Sequence, residues 1–193
     1  MSNKLRAFYA EHDSIAAVLH ALQYLADELD RGRKVDAKVF RQILYYLDVF
    51  PERFHHPHED RLLFPALKAR TNEADAIIAR LEKQHENGAG RIRALEQALL
   101  RWEVGGEPER AAFVDATRDF VAGYRAHIRL EEDELMPIAR RALTDEDWQR
   151  IEAGFGEQRD PLQGTAPDAD PVELFRRILY IVPPPIGLGS PAA

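Results

Sequence analysis

The sequence predicts an all-α protein, an up-down-up-down four-helix bundle with a short fifth helix and a C-terminal helical tail. Apolar residues recur at intervals of three and four along most of the 193 residues. No segment has the alternating pattern of a β-strand, and the connections between the long helical segments are short, which favours antiparallel neighbours. At roughly 150 residues per domain, the chain holds one main domain. We assign residues 1–155 to the bundle, 156–171 to a linker and 172–193 to a C-terminal helix with a Pro-rich tail.

The first two predicted helices form one hairpin. Helix 1 spans about Asn3–Asp30 and is followed by Gly32, a residue typical of helix C-termini. Helix 2 spans about Asp36–Arg70, with the Asp36 side chain as N-cap. Three prolines interrupt it, and we expect a kink or break near Pro51–Pro57, because proline lacks the backbone N–H that an α-helix requires.

The next two predicted helices form a second hairpin. Helix 3 is capped by Thr71 or Asn72 and ends near Glu103, before two consecutive glycines. Helix 4 begins at about Pro108, a favourable residue for a first helical turn, and ends near Arg141. The two hairpins together make the four long helices of the bundle.

The C-terminal part of the chain changes character. A short fifth helix follows Thr144, with Asp147 in the capping-box position, and ends near Gly154. Residues 156–171 are rich in Gly, Pro and Asp, which is typical of a linker. Residues 172–182 have the apolar spacing of one more short amphipathic helix, and three prolines stop it. We expect this helix to pack on the bundle or on a second subunit, which would give a homodimer.

Composition excludes several classes of protein. The formal net charge of −7 argues against binding to nucleic acid or an anionic membrane. The absence of cysteine excludes disulfides, thiolate nucleophiles and iron–sulfur clusters, so a metal would need His, Asp or Glu ligands. No apolar run approaches the roughly 20 residues of a membrane span, and the N-terminus lacks a secretory signal. We therefore expect a cytoplasmic protein.

An internal repeat places histidines and glutamates at matching positions of the two hairpins. Helix 2 contains HHPHEDRLLFP from His55, and helix 4 contains HIRLEEDELMP from His127. Both read His-x-x-x-Glu, with Leu at the ninth position and Pro at the eleventh, 72 positions apart. His12 on helix 1 and His85 on helix 3 lie within apolar stripes at an offset of 73. Each hairpin therefore supplies one lone histidine and one His-x-x-x-Glu pair.

This repeat predicts a site for two cations. Residues at i and i+4 of a helix lie on one face, about 6 Å apart, so His and Glu at that spacing reach the same ion. Two such pairs facing each other across the bundle bring two carboxylates together, where both can bridge two cations. The set contains only nitrogen and oxygen donors, which suits iron, manganese or zinc. Its six members are His12, His55, Glu59, His85, His127 and Glu131.

A second register competes with this one, because His56 and Asp60 are also spaced by four. Aligning the two proline-terminated motifs favours His55 over His56. We therefore expect His56 and His58 to be exposed or to support the ligands indirectly. Glu132 and Asp133 are expected to face solvent. His20 is expected to be a structural or surface residue, and Tyr124, one turn before His127, is the tyrosine best placed to contact the site.

Ferritin-like di-iron proteins offer an alternative pattern, Glu-x-x-His on two of four helices. The sequence contains that spacing at Glu52 with His55 and at Glu82 with His85. These pairs fall on helices 2 and 3 rather than on alternate helices. They also leave the pair on helix 4 unused, so we favour the repeat.

The layout resembles the hemerythrin-like family, the HHE cation-binding domains, over about residues 5–141. The motifs that carry the resemblance are EH, HHPHEDRLLFP, QH and HIRLEEDELMP, one on each helix. The resemblance implies a four-helix bundle with a non-haem di-iron site held by the six residues above, with Glu59 and Glu131 bridging. Oxygen-carrying hemerythrins present two histidines one turn apart on helix 3, whereas Leu81 and Ala89 flank His85 here. This departure argues against simple reversible oxygen carriage.

These observations predict a protein that binds two iron ions, with manganese or zinc as possible substitutes. Its expected work is binding or sensing a small diatomic ligand or oxidant, namely dioxygen, nitric oxide or peroxide. One alternative is a di-iron redox enzyme acting as a peroxidase, a ferroxidase or in nitric-oxide-linked iron release. Another is a metal-independent interaction module that docks through residues 172–182.

Overall fold

The computed structural model describes residues 5–154, and all regular structure within them is helical. The linker and C-terminal helix predicted for residues 156–193 lie outside the described residues, as does the start of helix 1. The described elements, in chain order, are α1 (Arg6–Asp30), α2 (Ala37–Val49), π1 (Pro51–His55), α3 (His56–His58), π2 (Glu59–Leu63), α4 (Phe64–Lys68), α5 (Asp75–Gly105), α6 (Glu107–Leu130), π3 (Glu131–Leu135), α7 (Met136–Ala142) and α8 (Asp145–Gly154).

These elements form four long rods and one short helix. The first rod is α1, the second runs from α2 to α4, the third is α5, and the fourth runs from α6 to α7. Contacts between α1 and α2, α2 and α5, α5 and α6, and α6 and α1 close a ring of neighbours. That ring is consistent with the predicted four-helix bundle. Among the described residues, none of the helices is both long and apolar enough to span a membrane.

The prolines of the second and fourth rods widen the helix instead of breaking it. Each π-helical turn ends two residues before a proline, namely Pro57, Pro65 or Pro137. A proline has no N–H to donate to the carbonyl four residues earlier, and its ring crowds that carbonyl. The backbone adopts i→i−5 hydrogen bonds instead, as from His56 N to Pro51 O. Of the kink or break expected near Pro51–Pro57, the break is wrong, because the chain is helical from Pro51 to Lys68.

The core has two apolar halves separated by a layer of buried polar residues. One cluster contains Ile15, Phe50 and Phe113, and the other contains Phe8, Leu63 and Trp148. Each rod passes from one cluster to the other at its predicted metal-ligating residues. The flanking pairs, one from each cluster, are Phe8 and Ile15, Phe50 and Leu63, Leu81 and Ile92, and Val121 and Leu135. The apolar halves thus fix the height of the polar layer.

The rod connections are short and follow the expected chemistry. Gly32 adopts φ 78° just after α1, and its N–H donates to Leu29 O. Only Gly106, at φ 72°, separates α5 from α6. The helix beginning after Thr71 starts later than predicted: the Thr71 hydroxyl accepts from Glu73 N, and α5 begins at Asp75.

The predicted capping box at the start of α8 is confirmed. Thr144 N donates to the Asp147 carboxylate at 3.0 Å, and Asp147 N donates to the Thr144 hydroxyl at 3.3 Å. The same carboxylate receives two hydrogen bonds from the Arg70 guanidinium, at 2.7 and 3.1 Å. Asp147 therefore both caps α8 and fastens it to the end of the second rod.

Candidate metal centre

Four imidazoles in the polar layer are oriented in the same way. Each turns Nδ1 toward an acceptor outside the centre and leaves Nε2 facing inward, the arrangement that fixes a histidine for metal binding. The Nδ1 contacts are His12 with Glu132 at 2.9 Å, His55 with Glu11 at 2.7 Å, His85 with Asp60 at 2.8 Å, and His127 with Gln84 Oε1 at 2.8 Å.

The four acceptors repeat with the hairpins. Glu11 and Gln84 each precede the lone histidine and hold the histidine of the next rod in the same hairpin. Asp60 and Glu132 each follow a predicted bridging glutamate and hold the lone histidine of the other hairpin. None of the four acceptors was predicted in this role, although their offsets of 73 and 72 match those of the histidines and could have identified them. The expectation that Glu132 faces solvent was wrong, because its side chain is only 33% exposed and contacts the buried His12.

Glu131 faces both pairs of imidazoles. Its Oε2 lies 3.3 Å from Nε2 of His12. Its Oε1 lies 3.1 Å from Nε2 of His127 and 3.7 Å from Nε2 of His85. The two oxygens of one carboxylate are therefore directed at different histidine pairs, as a bridging carboxylate requires.

Glu59 also lies between the pairs. Its Oε2 is 3.8 Å from Nε2 of His55 and 3.7 Å from Nε2 of His85. Two sets of possible ligand atoms result, each with its members within 4.8 Å of one another. We call His12, His55, Glu59 and Glu131 position A, and His85, His127, Glu59 and Glu131 position B. All six residues predicted from the repeat thus lie in these two groups, and the two glutamates belong to both.

Burial makes these groups fit cations. Glu59 and Glu131 are fully buried, and none of their four carboxylate oxygens has a hydrogen-bond partner within residues 5–154. Nε2 of His85 and Nε2 of His127 are unpaired in the same stretch. Burying carboxylates without partners costs several kcal/mol each, whereas metal coordination satisfies them. The orphaned atoms are the ones that face positions A and B.

The contact between His12 and His55 supports the same conclusion. Their Nε2 atoms lie 3.1 Å apart. When both rings donate from Nδ1 to carboxylates, both Nε2 atoms carry lone pairs. Two acceptors at that distance repel each other unless a proton or a cation lies between them.

In the cation-free centre the pKa values of the two bridging-candidate carboxylates are shifted in opposite directions. Burial raises the pKa of Glu59 well above its usual value, and repulsion from Glu131 raises it further. Burial acts on Glu131 in the same direction, but the nearby imidazoles of His127, His12 and His85 outweigh it and hold the Glu131 pKa well below the usual value. Glu59 therefore binds a proton more readily than Glu131 does.

Two imidazoles are also held protonated. Burial opposes charge on His12, but the close Glu131 carboxylate and the hydrogen bond to Glu132 outweigh it and raise the His12 pKa to about 10. Burial likewise opposes charge on His85, but the hydrogen bond to Asp60 and the nearby Glu131 carboxylate outweigh it and raise the His85 pKa to about 9. Protons thus occupy the centre where cations would provide the same positive charge.

His56 is not exposed, contrary to one of the two environments expected for it. It is 4% exposed and forms a third group of possible ligands with His85 and His127. Its Nε2 lies 3.1 Å from the Tyr124 hydroxyl, so the tyrosine selected from sequence meets this histidine. Burial, with repulsion from His85, lowers the His56 pKa well below its usual value, so the ring is neutral.

The structure also shows the surroundings of the remaining candidate residues. His20 and Asp133 are exposed, as predicted, and His58 is half-buried. The ferritin-like alternative fails at both of its glutamates: Glu52 lies next to His56, 3.5 Å from its Nδ1, and Glu82 binds Lys68 at the surface. Neither belongs to a group of possible ligands among the described residues.

The family model of the hemerythrin HHE cation-binding domain matches residues 3–139. The chain belongs to this family. The match covers the first three rods, the fourth rod up to Ala139, and every residue of positions A and B, and it confirms the resemblance found in the motifs. Neither a curated protein nor a solved structure matches the chain. The hemerythrin domain is therefore assigned by its family model, and the geometry above describes its centre.

Proposed function

We propose that this hemerythrin domain binds two iron ions, one at position A and one at position B, bridged by Glu59 and Glu131. The observation that carries the proposal is that both glutamates belong to both groups of possible ligands. A carboxylate shared by two cations keeps them at a fixed separation and balances part of their charge. Separate sites would require separate carboxylates.

The donor set supports iron and leaves manganese and zinc as substitutes. It consists of imidazole nitrogens and carboxylate oxygens, and the chain has no cysteine. Counting each shared glutamate at both positions, every position has four donor residues. Octahedral coordination takes six donors, so coordination positions are left for water or an added ligand.

We further propose that the pair binds or senses a small diatomic molecule or oxidant, namely dioxygen, nitric oxide or peroxide. An iron pair, when bound, supplies reversible oxidation and reduction. The protein's own part is to hold the imidazoles through Glu11, Asp60, Gln84 and Glu132 and to exclude water. His12, Glu59 and Glu131 are each at most 1% exposed, so only small molecules have access without a change in the bundle. The cytoplasmic location expected from sequence stays part of this proposal.

A second candidate uses the same centre for turnover as a peroxidase, as a ferroxidase or in nitric-oxide-linked iron release. The polar groups beside position B, Tyr124 and His56, favour this candidate because they could hydrogen-bond an oxidant. Steady-state assays of the iron-loaded protein distinguish the two. A binding or sensing protein reacts with an amount of ligand or oxidant that is stoichiometric with the protein. An enzyme consumes many equivalents of its substrate per protein chain. The docking segment of the interaction-module alternative lies outside the described residues.

The experiment that tests the main proposal is metal analysis with optical spectra of the oxidised and reduced protein. We expect about two irons per chain and near-ultraviolet and visible absorption in the oxidised form. Zinc would give no such bands. Full folding without iron after expression in iron-rich medium would contradict the proposal.

A further inference from the structure

The internal repeat is broken beside position B. The offset of 72 that relates His55 to His127 also relates His56 to Ile128. One hairpin therefore offers a buried imidazole where the other offers an aliphatic side chain. An arrangement that is otherwise twofold thus has a third imidazole next to one of its two metal positions.

His56 lies within reach of the position B imidazoles. It offers a ring nitrogen within 4.8 Å of a ring nitrogen of both His85 and His127. Its ring is stacked on His85 with centroids 4.2 Å apart and an interplanar angle of 8°, and it meets His127 edge-on at 5.1 Å. Its Nδ1 is buried and has no hydrogen-bond partner within residues 5–154.

Each ring nitrogen of His56 faces an oxygen atom that can accept a hydrogen bond from it. Nε2 is 3.1 Å from the Tyr124 hydroxyl, and Nδ1 is 3.5 Å from Glu52 Oε2. A neutral imidazole donates from one nitrogen and keeps a lone pair on the other. The nitrogen without the proton keeps a lone pair, which can bind a cation unless the Tyr124 hydroxyl donates to it.

We propose that His56 is the fifth imidazole ligand of the centre and joins His85 and His127 at position B. This inference rests on the proposed two-metal function. With His56 included, position B has three imidazole ligands and position A has two. Position A then keeps fewer protein donors, because Ile128 occupies the place corresponding to His56, and it becomes the position open to an added small ligand.

The competing arrangement makes His56 a structural link. Tyr124 would donate its hydroxyl proton to Nε2, and Nδ1–H would point at Glu52. In that case both nitrogens are used within the protein and neither binds metal. The two arrangements differ in whether a His56 nitrogen changes its bonding when metal is added.

The test uses the full chain labelled with ¹⁵N and loaded with Zn²⁺, followed by long-range ¹H–¹⁵N spectra of the seven histidines. We expect two zinc ions per chain and metal-bound nitrogen shifts for His56 as well as for the four histidines of positions A and B. Because this measurement uses the unaltered protein, it does not depend on any variant folding. Two bound zinc ions with both His56 nitrogens unshifted would overturn the inference and leave the proposed function standing.

A pair of variants provides the second readout. His56→Gln should bind the first zinc as the unaltered protein does and the second at least tenfold more weakly, as measured against a competing chelator. His20→Gln, which removes an exposed imidazole, should bind both ions unchanged. Equal affinities in the two variants would contradict the assignment. Unaltered protein that takes up no zinc or iron contradicts both this inference and the proposed function.

Discussion

Nδ1 of His12 donates to the Glu132 carboxylate at 2.9 Å, although the two residues are 120 positions apart in the sequence. This hydrogen bond connects the two hairpins, because His12 lies on the first rod and Glu132 on the fourth. It also turns Nε2 of His12 toward position A. A carboxylate that a helical wheel assigns to solvent thus orients a buried ligand.

Replacing Glu132 should weaken metal binding. Removal of a carboxylate that orients a ligating histidine typically lowers metal affinity by roughly 10- to 100-fold. We therefore expect Glu132→Ala to lose affinity for one of its two ions to about that extent, as measured against a competing chelator. Asp133→Ala is the matched control, since its side chain is exposed. Identical affinities in both variants would mean that the hydrogen bond to His12 has no role in binding.

Replacing a ligand shared by both metal positions should remove more metal than replacing a ligand of one position. Glu131 belongs to both groups, whereas His85 belongs only to position B. Glu131→Ala is expected to reduce both ions to well below stoichiometry, and His85→Ala to retain about one iron per chain. Metal analysis after desalting measures this difference, with His20→Ala as control. If the two variants retain the same amount of metal, Glu131 does not bridge.

Metal binding should release protons. At pH 7.5 the cation-free centre holds protons on His12 and His85, whose pKa values are about 10 and about 9. Cations must displace these two protons, so about two protons should leave per chain and metal affinity should rise with pH between 6 and 8. Calorimetric titration with Zn²⁺ in two buffers of different ionisation enthalpy measures the number released. Binding without proton release would contradict this protonation pattern.

The contribution of Asp147 to the stability of the fold should depend on pH. Hydrogen bonds from Arg70, with those from Thr144, hold the pKa of Asp147 well below the ordinary value of 3.8. A lowered pKa stabilises the fold above that value, and the stabilisation is lost as pH falls below it. Asp147→Asn should therefore unfold at a lower temperature than the unaltered protein at pH 7, and the gap should narrow toward pH 3.

Thermal melts of the metal-free proteins at several pH values measure the gap between the two unfolding temperatures. Glu152→Gln, at an exposed position of α8, is the control for the loss of one negative charge. A gap that stays constant with pH would exclude Asp147 as the titrating group.

Sequence alone determined the helical class, the two hairpins and the six residues that converge on the centre. These features follow from local rules. Apolar spacing near 3.6 residues marks the buried face of each rod, and an i,i+4 spacing places His and Glu on that face. A repeat with matching offsets then selects His55 over His56 as the partner of Glu59 without any knowledge of how the rods pack.

Only the tertiary structure decided the surroundings of those residues. The acceptors Glu132 and Asp60 orient histidines on rods of the other hairpin, and no local spacing encodes which rods become neighbours. His56 follows directly on π1, where i→i−5 hydrogen bonds change the residues that share a face, so a period of 3.6 misplaces it. Local periodicity determines which face of its own helix a residue occupies. The packing of the rods and their π-helical turns determine which residues of the other rods it contacts.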